Sequence, residues 1–443
     1  MEMYLPKSVK ACIDSLESAG FSAYAVGGCV RDALLGITPH DYDLCTSASP
    51  EQIRSVFADY RLVLAGEKHG TVAVITEDGP VEITAYRMEG GYTDSRHPGW
   101  VRFVTDVEAD LSRRDFTVNA MAYSPYRGFA DPFGGREDLK NKCLRAVGNP
   151  GARFTEDALR ILRGVRFAVR FGLTPDPDTL EAMETLAYLT DNLARERVFE
   201  ELCKLLPLVR GADLLRFAPV ITRVIPELAP LVDFDQRSSH HAYDVFTHTA
   251  YVVESVPAKV PLRWAALLHD VGKPGTFYAD AAGQGHFPGH AKLGGQMADA
   301  ILRNLKAPTA LREQVVALVS GHMSLPEPDK RCLRRWLGKF GPEGFRDLLA
   351  LQQGDFFAKG TGKTTDFFDR IQELLEQVLA EDACLSLKDL AVNGKDLIAM
   401  GYVPGPKIRH CLEHLLASVQ EELLPNTRDA LLAAAAVQLE QVP

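Results

Sequence analysis

The chain has 443 residues, more than one compact core holds, and its length points to about three or four domains. A hydrophobic share of 46% and a charged share of 24%, with no apolar run of membrane-spanning length and no apolar signal-peptide core near the start, exclude a membrane protein and point to the cytoplasm. The net charge of −10 excludes a global pull toward nucleic acid, and eight scattered cysteines without a Cys-x-x-Cys pair argue for reduced thiols rather than a disulfide frame or zinc ribbon.

Strand and helix signals alternate at first. Residues 21–26 read as a strand running into Gly27-Gly28, residues 30–35 as a helix and residues 41–45 as a strand. Ser49-Pro50-Glu51-Gln52 opens the next helix, with Ser49 as cap, Pro50 at its first position and Gln52 completing a capping box. Residues 72–75 and 81–86 read as neighbouring strands. The polar, Gly-rich segment 86–98 reads as a mobile loop, and residues 116–123 enter a further strand. From about Thr155 the strand signals vanish and a 3.6-residue period takes over. Gly, Pro or polar clusters near residues 146–150, 230–239 and 359–365 mark boundaries. The expected class is therefore α+β: a small α/β head (1–146), then helical segments over 147–232, 233–361 and 362–443.

The head carries the chemistry-bearing motifs. A strand ending at Gly27-Gly28 leaves backbone N–H groups bare at the start of the following helix, an anion site to which Arg31 adds a positive fork. Asp41 and Asp43, two residues apart on a strand, face the same way. Paired carboxylates beside a phosphate cradle suggest divalent metals clamping a phosphoryl transfer. Glu82 points away from its strand's apolar face, as a third carboxylate of that site or as an exposed strand glutamate. Arg113-Arg114, ahead of Asp115-Phe116-Thr117-Val118-Asn119, offers planar donors that suit phosphate oxygens, or forms a solvated charge cluster. Arg160, Arg163, Arg166 and Arg170 fall within one arc of a helix face. With few compensating acids they repel one another unless an anion lies along them. Asp157 lies one turn before Arg160; with Glu156 it also suits the N-terminal dipole of this helix.

Taken in order, Gly-Gly-x-Val-Arg-Asp, Asp-x-Asp, Arg-Arg-Asp-Phe-Thr-x-Asn-Ala and Glu156-Asp157-Ala158-Leu159-Arg160 resemble the bacterial tRNA nucleotidyltransferases, a class shared with bacterial poly(A) polymerases. The resemblance covers about the first two hundred residues and reappears at 390–397 and 424–432. It implies a polymerase-beta-like head and template-free addition of CCA to the tRNA 3′ end from CTP and ATP. Asp41 and Asp43 would hold two Mg²⁺ ions, with Glu82 as the further carboxylate. Gly27, Gly28 and Arg31 would cradle the triphosphate, Arg114 and Asn119 would serve the nucleotide, and Asp157 with Arg160 would read the base, beside Arg163 and Arg166. Relatives that add only C are shortened at segment 86–98, so its presence here argues against a C-only enzyme. The helical body would grip tRNA by shape and backbone. Arg195, Arg197, Arg334 and Arg335 either help there or are ordinary surface charges.

Seven of the twelve histidines fall between His240 and His322. His269-Asp270 ends the apolar run 262–268, where a carboxylate opposes the helix dipole unless a cation compensates. The order His…His-Asp…Asp resembles the HD superfamily of metal-dependent phosphohydrolases. His248, His269 and Asp270 match its motif, and Asp355 is the candidate last ligand. His290 and His322 would serve a second metal or bind phosphate. Such a donor set suits Mg²⁺, Mn²⁺, Ni²⁺ or Fe²⁺. The rival readings are an A-only enzyme or poly(A) polymerase, a phosphohydrolase with a nucleotide-sensing head, and a non-enzymatic RNA-binding protein. No protein partner is implied.

Overall fold

The computed structural model describes residues 3–91, 99–238, 242–359, 366–381 and 384–441. Contacts divide the chain into two compact units, Met1–Val209 with Arg216–Pro226, and Arg210–Leu215 with Glu227–Pro443.

The first unit opens with α1 (Lys7–Ser18), β1 (Ala23–Val26), α2 (Gly28–Leu34), β2 (Asp43–Thr46), α3 (Pro50–Val56), β3 (Arg61–Val63), β4 (Thr71–Thr76) and β5 (Gly79–Ala85). Next come β6 (Arg87–Gly90), β7 (Trp100–Phe103), α4 (Val107–Ser112), β8 (Ala122–Ser124), β9 (Gly128–Ala130), α5 (Gly135–Lys140) and β10 (Cys143–Leu144). Seven strands form one sheet in the order β3-β4-β5-β2-β1-β8-β9. All four residues of β1 are buried, and in β5 the buried Val81, Ile83 and Ala85 alternate with Pro80, Glu82 and Thr84. The period of two therefore delivers Glu82 to the opposite face from the core. The capping box that starts α3 is present: Ser49 Oγ accepts from Gln52 N–H, and Ser49 N–H donates to the Gln52 side chain at 2.8 Å.

Two sequence expectations change here. The loop expected over 86–98 is partly strand, because β6 and β7 pair antiparallel from Arg87 opposite Phe103 to Gly90 opposite Trp100; residues 92–98 lie outside the described ones. Arg87 also meets Glu89 at 3.0 Å, and Arg113 meets the same carboxylate at 3.5 Å, ties that composition alone does not reveal. The strand expected over 116–123 is a single helical turn at Thr117–Asn119 before β8.

Four further helices belong to this unit: α6 (Pro150–Glu156), α7 (Leu159–Phe171), α8 (Pro177–Thr185), preceded by β11 (Thr174–Pro175), and α9 (Arg195–Leu205). They share a core with the sheet. The fully buried ring of Phe116 packs on Phe154 of α6 and edge-on against Phe167 of α7, with centroids 6.4 and 5.9 Å away. Gly164 permits that approach, since a Cβ there would stand 2.9 Å from the Phe116 ring.

After α10 (Gly211–Arg216) and α11 (Ala218–Val224), the second unit is built on α12 (Val245–Ser255), α13 (Val260–Leu268), α14 (Lys273–Thr276), α15 (His290–Asn304), α16 (Thr309–Gly321) and α17 (Lys330–Ala358). Its short strands β12 (Tyr278–Ala279) and β13 (Gly285–His286) pair antiparallel. Residues Leu262 to Leu268 of α13 are all buried, so this apolar helix runs through the middle of the unit. Helix α17 is broken at Gly341, whose φ of 70° ends one segment just before Pro342. Beyond α18 (Asp366–Ala380), the helices α19 (Gly394–Ala399), α20 (Pro406–Gln420) and α21 (Arg428–Gln441) close on their own cluster of Leu397, Tyr402, Leu415 and Leu431. Among the described residues no helix is long and apolar enough to cross a membrane.

Candidate functional site

The register of the head sheet sets the acidic group. β2 runs parallel to β5 with Asp43 directly opposite Glu82. Side chains paired across adjacent strands share one face, so the two carboxylates stand together. Asp41 lies two residues before Asp43, just outside the strand, and its charge also reaches Asp43. Partial loss of water, then the Glu82 charge, raise the Asp43 pKa; Arg114 opposes and Asp41 adds to the rise. Crowded carboxylates of this kind suit a hard divalent cation with oxygen ligands.

Gly27, Gly28, Arg31, Asp43, Arg114 and Asn119 line a cleft of about 480 Å³, whose other wall carries Asp157, Arg160 and Arg163 from α6–α7 and Arg197 from α9. Gly27 has φ 77°, and a Cβ on it would stand 2.7 Å from Arg114 Nη1. Glycine is required there by both the left-handed backbone and the guanidinium lying against it. The N–H of Gly27 is not bare as its position suggests, because it donates to the Met121 carbonyl at 3.0 Å.

Arg31 lines the cleft but is buried, with most of its donors turned to protein groups. Its Nε donates to Asp32 at 2.8 Å, its Nη1 donates to the Asn119 side-chain oxygen, and its face lies 4.2 Å from the Phe171 ring centroid. Asn119 is spent at its other end too, donating to Asp115 at 3.0 Å. Arg114 contributes a buried Nε with no hydrogen-bond partner among the described residues, and its Nη2 reaches Asp110 at 3.5 Å.

The arginine stripe has more acidic partners than its own helix suggests. Arg163 donates to Asp115 Oδ2 through Nε at 2.8 Å and Nη2 at 2.6 Å. Arg166, buried, donates to Glu201 of α9, and Arg160 donates to Glu156 at 2.7 Å and to the Arg113 carbonyl at 2.9 Å. Protein carboxylates therefore meet three of the four, and the expectation of an uncompensated stripe is corrected. Asp115 and Glu201 lie 48 and 35 residues from their partners, outside any local pattern. Burial would raise the Asp115 pKa, but Arg163, then the Asn119 amide, outweigh it and hold the carboxyl at about 2. Asp157 does not share the α7 face. It sits in the break between α6 and α7 at φ −142°, where its Oδ1 accepts from Leu159 N–H at 3.1 Å and its Oδ2 from Arg197 at 3.0 Å. Arg197 is thus neither a plain surface charge nor remote from the cleft. Arg334, by contrast, is ion-paired to Glu381 and Glu422 in the second unit.

The second unit gathers His248 of α12, His269-Asp270 at the end of α13, His290 at the start of α15, His322 after α16 and Asp355 of α17. All six are buried. The Nδ1 atoms of His269, His290 and His322 lie 2.8, 2.8 and 2.7 Å from the carbonyls of Ala266, Phe287 and Val319. A carbonyl only accepts, so each Nδ1 carries a proton and each Nε2 turns inward. His269 Nε2 stands 3.1 Å from Asp270 Oδ2, and His290 Nε2 stands 3.4 Å from Asp270 Oδ1. The Nε2 atoms of His290 and His322 face each other at 3.3 Å. Burial would lower the His269 pKa, but Asp270 beside it raises it, so a proton on His269 Nε2 satisfies that contact as a divalent cation would; a backbone-tethered Nδ1 is also the usual support of a metal-bound imidazole. His248 Nε2 meets Asp355 at 3.0 Å. Burial would raise both carboxyls; His269 and Lys273 hold Asp270, and His248 and Lys359 hold Asp355, well below the usual range. Burial pushes His322 down to about 4.

The chain matches the family model of the poly A polymerase head domain over residues 23–145 and that of tRNA nucleotidyltransferase domain 2 over residues 290–435. It is 32% identical over 432 residues to a CCA-adding enzyme of Latilactobacillus sakei, covering 96% of each chain. It is 34% identical over 422 residues to one of Streptococcus pneumoniae, covering 95% of this chain and 94% of that one. Among solved structures it resembles the Bacillus stearothermophilus CCA-adding enzyme in complex with CTP, with a TM-score of 0.72 and 28% identity over 98% of this chain and 97% of that chain. With relatives of that identity aligned along almost its whole length, the chain belongs to the family of CCA-adding enzymes, the tRNA nucleotidyltransferases.

Proposed function

We propose that this protein builds and repairs the 3′-terminal CCA of tRNA from CTP and ATP without a nucleic-acid template, in the cytoplasm. The observation that carries the reading is that Asp43, paired in register with Glu82, lines a cleft whose other wall carries Asp157 and Arg160. Mg²⁺, held by Asp41 and Asp43, would lower the pKa of the tRNA 3′-hydroxyl and neutralise charge on the departing pyrophosphate. Arg114 binds the triphosphate from beneath Gly27, with Gly28 forming the floor. Arg31 and Asn119, tied to each other and to Asp115, act mainly by holding that floor against α7. A guanidinium has five N–H groups, so Arg31 retains donors for a phosphate oxygen. Asp157 accepts from the amino group of cytosine or adenine, while Arg160, released from Glu156, donates to the adjacent ring nitrogen. Arg163 and Arg166 brace α7 through Asp115 and Glu201.

The division of labour we propose is a head over 1–146, a base-selecting and RNA-binding segment over 147–232, a hydrolase-like segment over 233–361 and a tail over 362–443. For the third segment, the converging Nε2 atoms of His269, His290 and His322 around Asp270 favour a second reading: a divalent metal centre of HD phosphohydrolase type, with His248, His269, Asp270 and Asp355 as ligands. Mg²⁺, Mn²⁺, Ni²⁺ or Fe²⁺ fits this nitrogen and oxygen set and would polarise a phosphoester.

The test is to incubate the protein with tRNA ending at the discriminator base, at C or at CC, with each nucleoside triphosphate separately. Addition of C to the first two and of A to the third supports the reading. Addition of A to the CC-ended form alone makes it an A-adding enzyme, and runs of A point to a poly(A) polymerase.

A further inference from the structure

We propose that Trp100 is a stacking platform for an unpaired base of the tRNA 3′ end, at the rim of the cleft and upstream of the reacting hydroxyl. The proposal rests on the nucleotidyltransferase reading above, which supplies the tRNA.

The register of the β6–β7 ribbon gives it two unlike faces. Arg87 pairs with Phe103, Met88 with Arg102, Glu89 with Val101 and Gly90 with Trp100. Arg87, Glu89, Val101 and Phe103 therefore share one side, and Met88, Gly90, Trp100 and Arg102 share the other. The first side is tied to the head. Glu89 meets Arg87 at 3.0 Å and Arg113 at 3.5 Å, and the Arg87 N–H donates to buried Asp110 at 3.2 Å. The Phe103 ring lies so close to Gly70 that a Cβ there would stand 2.8 Å from it. Arg113 lines the cleft beside Arg114, so the ribbon stands at its rim.

The other side is open. Met88 and Trp100 are 43% and 50% exposed, and Arg102 is exposed. The indole is nevertheless seated. A Cβ on Gly90 would stand 2.8 Å from its Cζ2, and one on Gly91 would stand 3.3 Å from its Cδ1. Two glycines thus let one long side of the ring lie against the backbone. The ring is placed before a ligand arrives, which lowers the cost of ordering it.

This surface fits an unpaired RNA base. An indole stacks on the π-face of any base, and a neighbouring guanidinium suits phosphate oxygens. Paired bases of the acceptor stem are already stacked on both faces, whereas the nucleotides of the 3′ end are not paired. Those nucleotides must pass the rim to bring the terminal hydroxyl to Asp41 and Asp43. A chain of net charge −10 also depends on such local contacts to hold an anionic polymer. Stacking tolerates every base, which suits an end that reads discriminator base, C and CC in turn.

The test compares W100A, W100F and G90A with the unmodified protein, measuring kcat, KM for tRNA ending at C, KM for CTP and thermal stability. In W100A the KM for tRNA should rise by about tenfold, and the loss should fall there rather than on kcat or on the KM for CTP. W100F keeps a ring and should recover most of that loss. G90A pushes the indole off its seat and should raise the same KM several-fold. Tryptophan fluorescence reads the contact directly. Quenching by tRNA ending at CC should be larger in the unmodified protein than in W100F, and the difference should vanish with CTP alone or with tRNA trimmed to a blunt stem. An ordinary KM for tRNA in W100A, an equal rise in the KM for CTP, or full quenching by the blunt stem overturns the platform. A dimer of the unmodified protein that W100A dissolves makes this face a contact between copies and overturns it too. Failure of the unmodified protein to add a nucleotide to any tRNA end overturns the parent reading instead.

Discussion

Asp43 and Glu82 face each other in register across two parallel strands, although 39 positions separate them in the chain. The sheet thereby builds a site that neither strand contains alone. Replacing Asp43 or Asp41 by Ala should lower nucleotide addition by about a thousandfold or more, the loss expected when a catalytic metal is no longer held. Glu82→Gln should cost less, about ten- to a hundredfold, if Glu82 chiefly shapes the charge around Asp43. Single-turnover CMP addition to truncated tRNA measures both. Any hydrolysis of p-nitrophenyl phosphate by the second unit should survive the Asp41→Ala change, and loss of both activities together would contradict two separate centres.

Gly27→Ala forces a side chain into a left-handed backbone position and against Arg114. We expect a KM for CTP and ATP raised by about tenfold with a stability loss of about 1–2 kcal/mol. Nucleotide titration and denaturant unfolding separate the two effects. A variant with ordinary KM values would show that Arg114 does not hold the triphosphate from beneath this glycine.

The Asp115–Arg163 pair gives a pH signature. The unfolded carboxyl titrates near about pH 4, whereas the folded one is held at about 2 by Arg163 and Asn119. A depressed folded pKa stabilises the fold fully above the unfolded value and ceases to do so as the pH falls through the folded one. Asp115→Asn should therefore be less stable than the unmodified protein at neutral pH, by about 2 kcal/mol. That gap should shrink between about pH 4 and about pH 2. Denaturant melts of both proteins at pH 7, 4 and 3 measure it, and a gap independent of pH would assign the loss to packing rather than charge.

Divalent metal should stabilise the second unit. Adding Mn²⁺ or Ni²⁺ to chelator-treated protein should raise the melting temperature, and His269→Ala should abolish most of the rise. CCA addition by that variant in Mg²⁺ should stay near the unmodified rate. An equal metal-induced rise in the variant would remove His269 from the ligand set.

What could be read from the sequence follows the range of the interactions involved. The capping box at Ser49–Gln52 and the alternation in Val81–Ala85 are local, and the structure has both. His269-Asp270 was legible because an acid at the end of an apolar helix is anomalous in its own right. The partners of Arg163 and Arg166 were not legible: three strands and two helices, β8 to α6, separate Asp115 from α7, and Glu201 sits on α9. The sequence marks Arg197 only as a tRNA-gripping or ordinary surface charge, since only the fold brings α9 to the α6–α7 break and its contact with Asp157. The 87–90 strand was hidden because its pairing partner, 100–103, lies across a polar, Gly-rich stretch. Contacts between neighbours leave a pattern in the chain, whereas contacts made by folding do not.

The most direct measurement is a crystal structure of the protein grown with CTP and Mg²⁺. Magnesium density bridging the oxygens of Asp41 and Asp43 to the triphosphate, with the cytosine edge on Asp157 and Arg160, is the predicted result. Nucleotide bound elsewhere, or a filled cleft in which neither aspartate touches metal, would contradict the account.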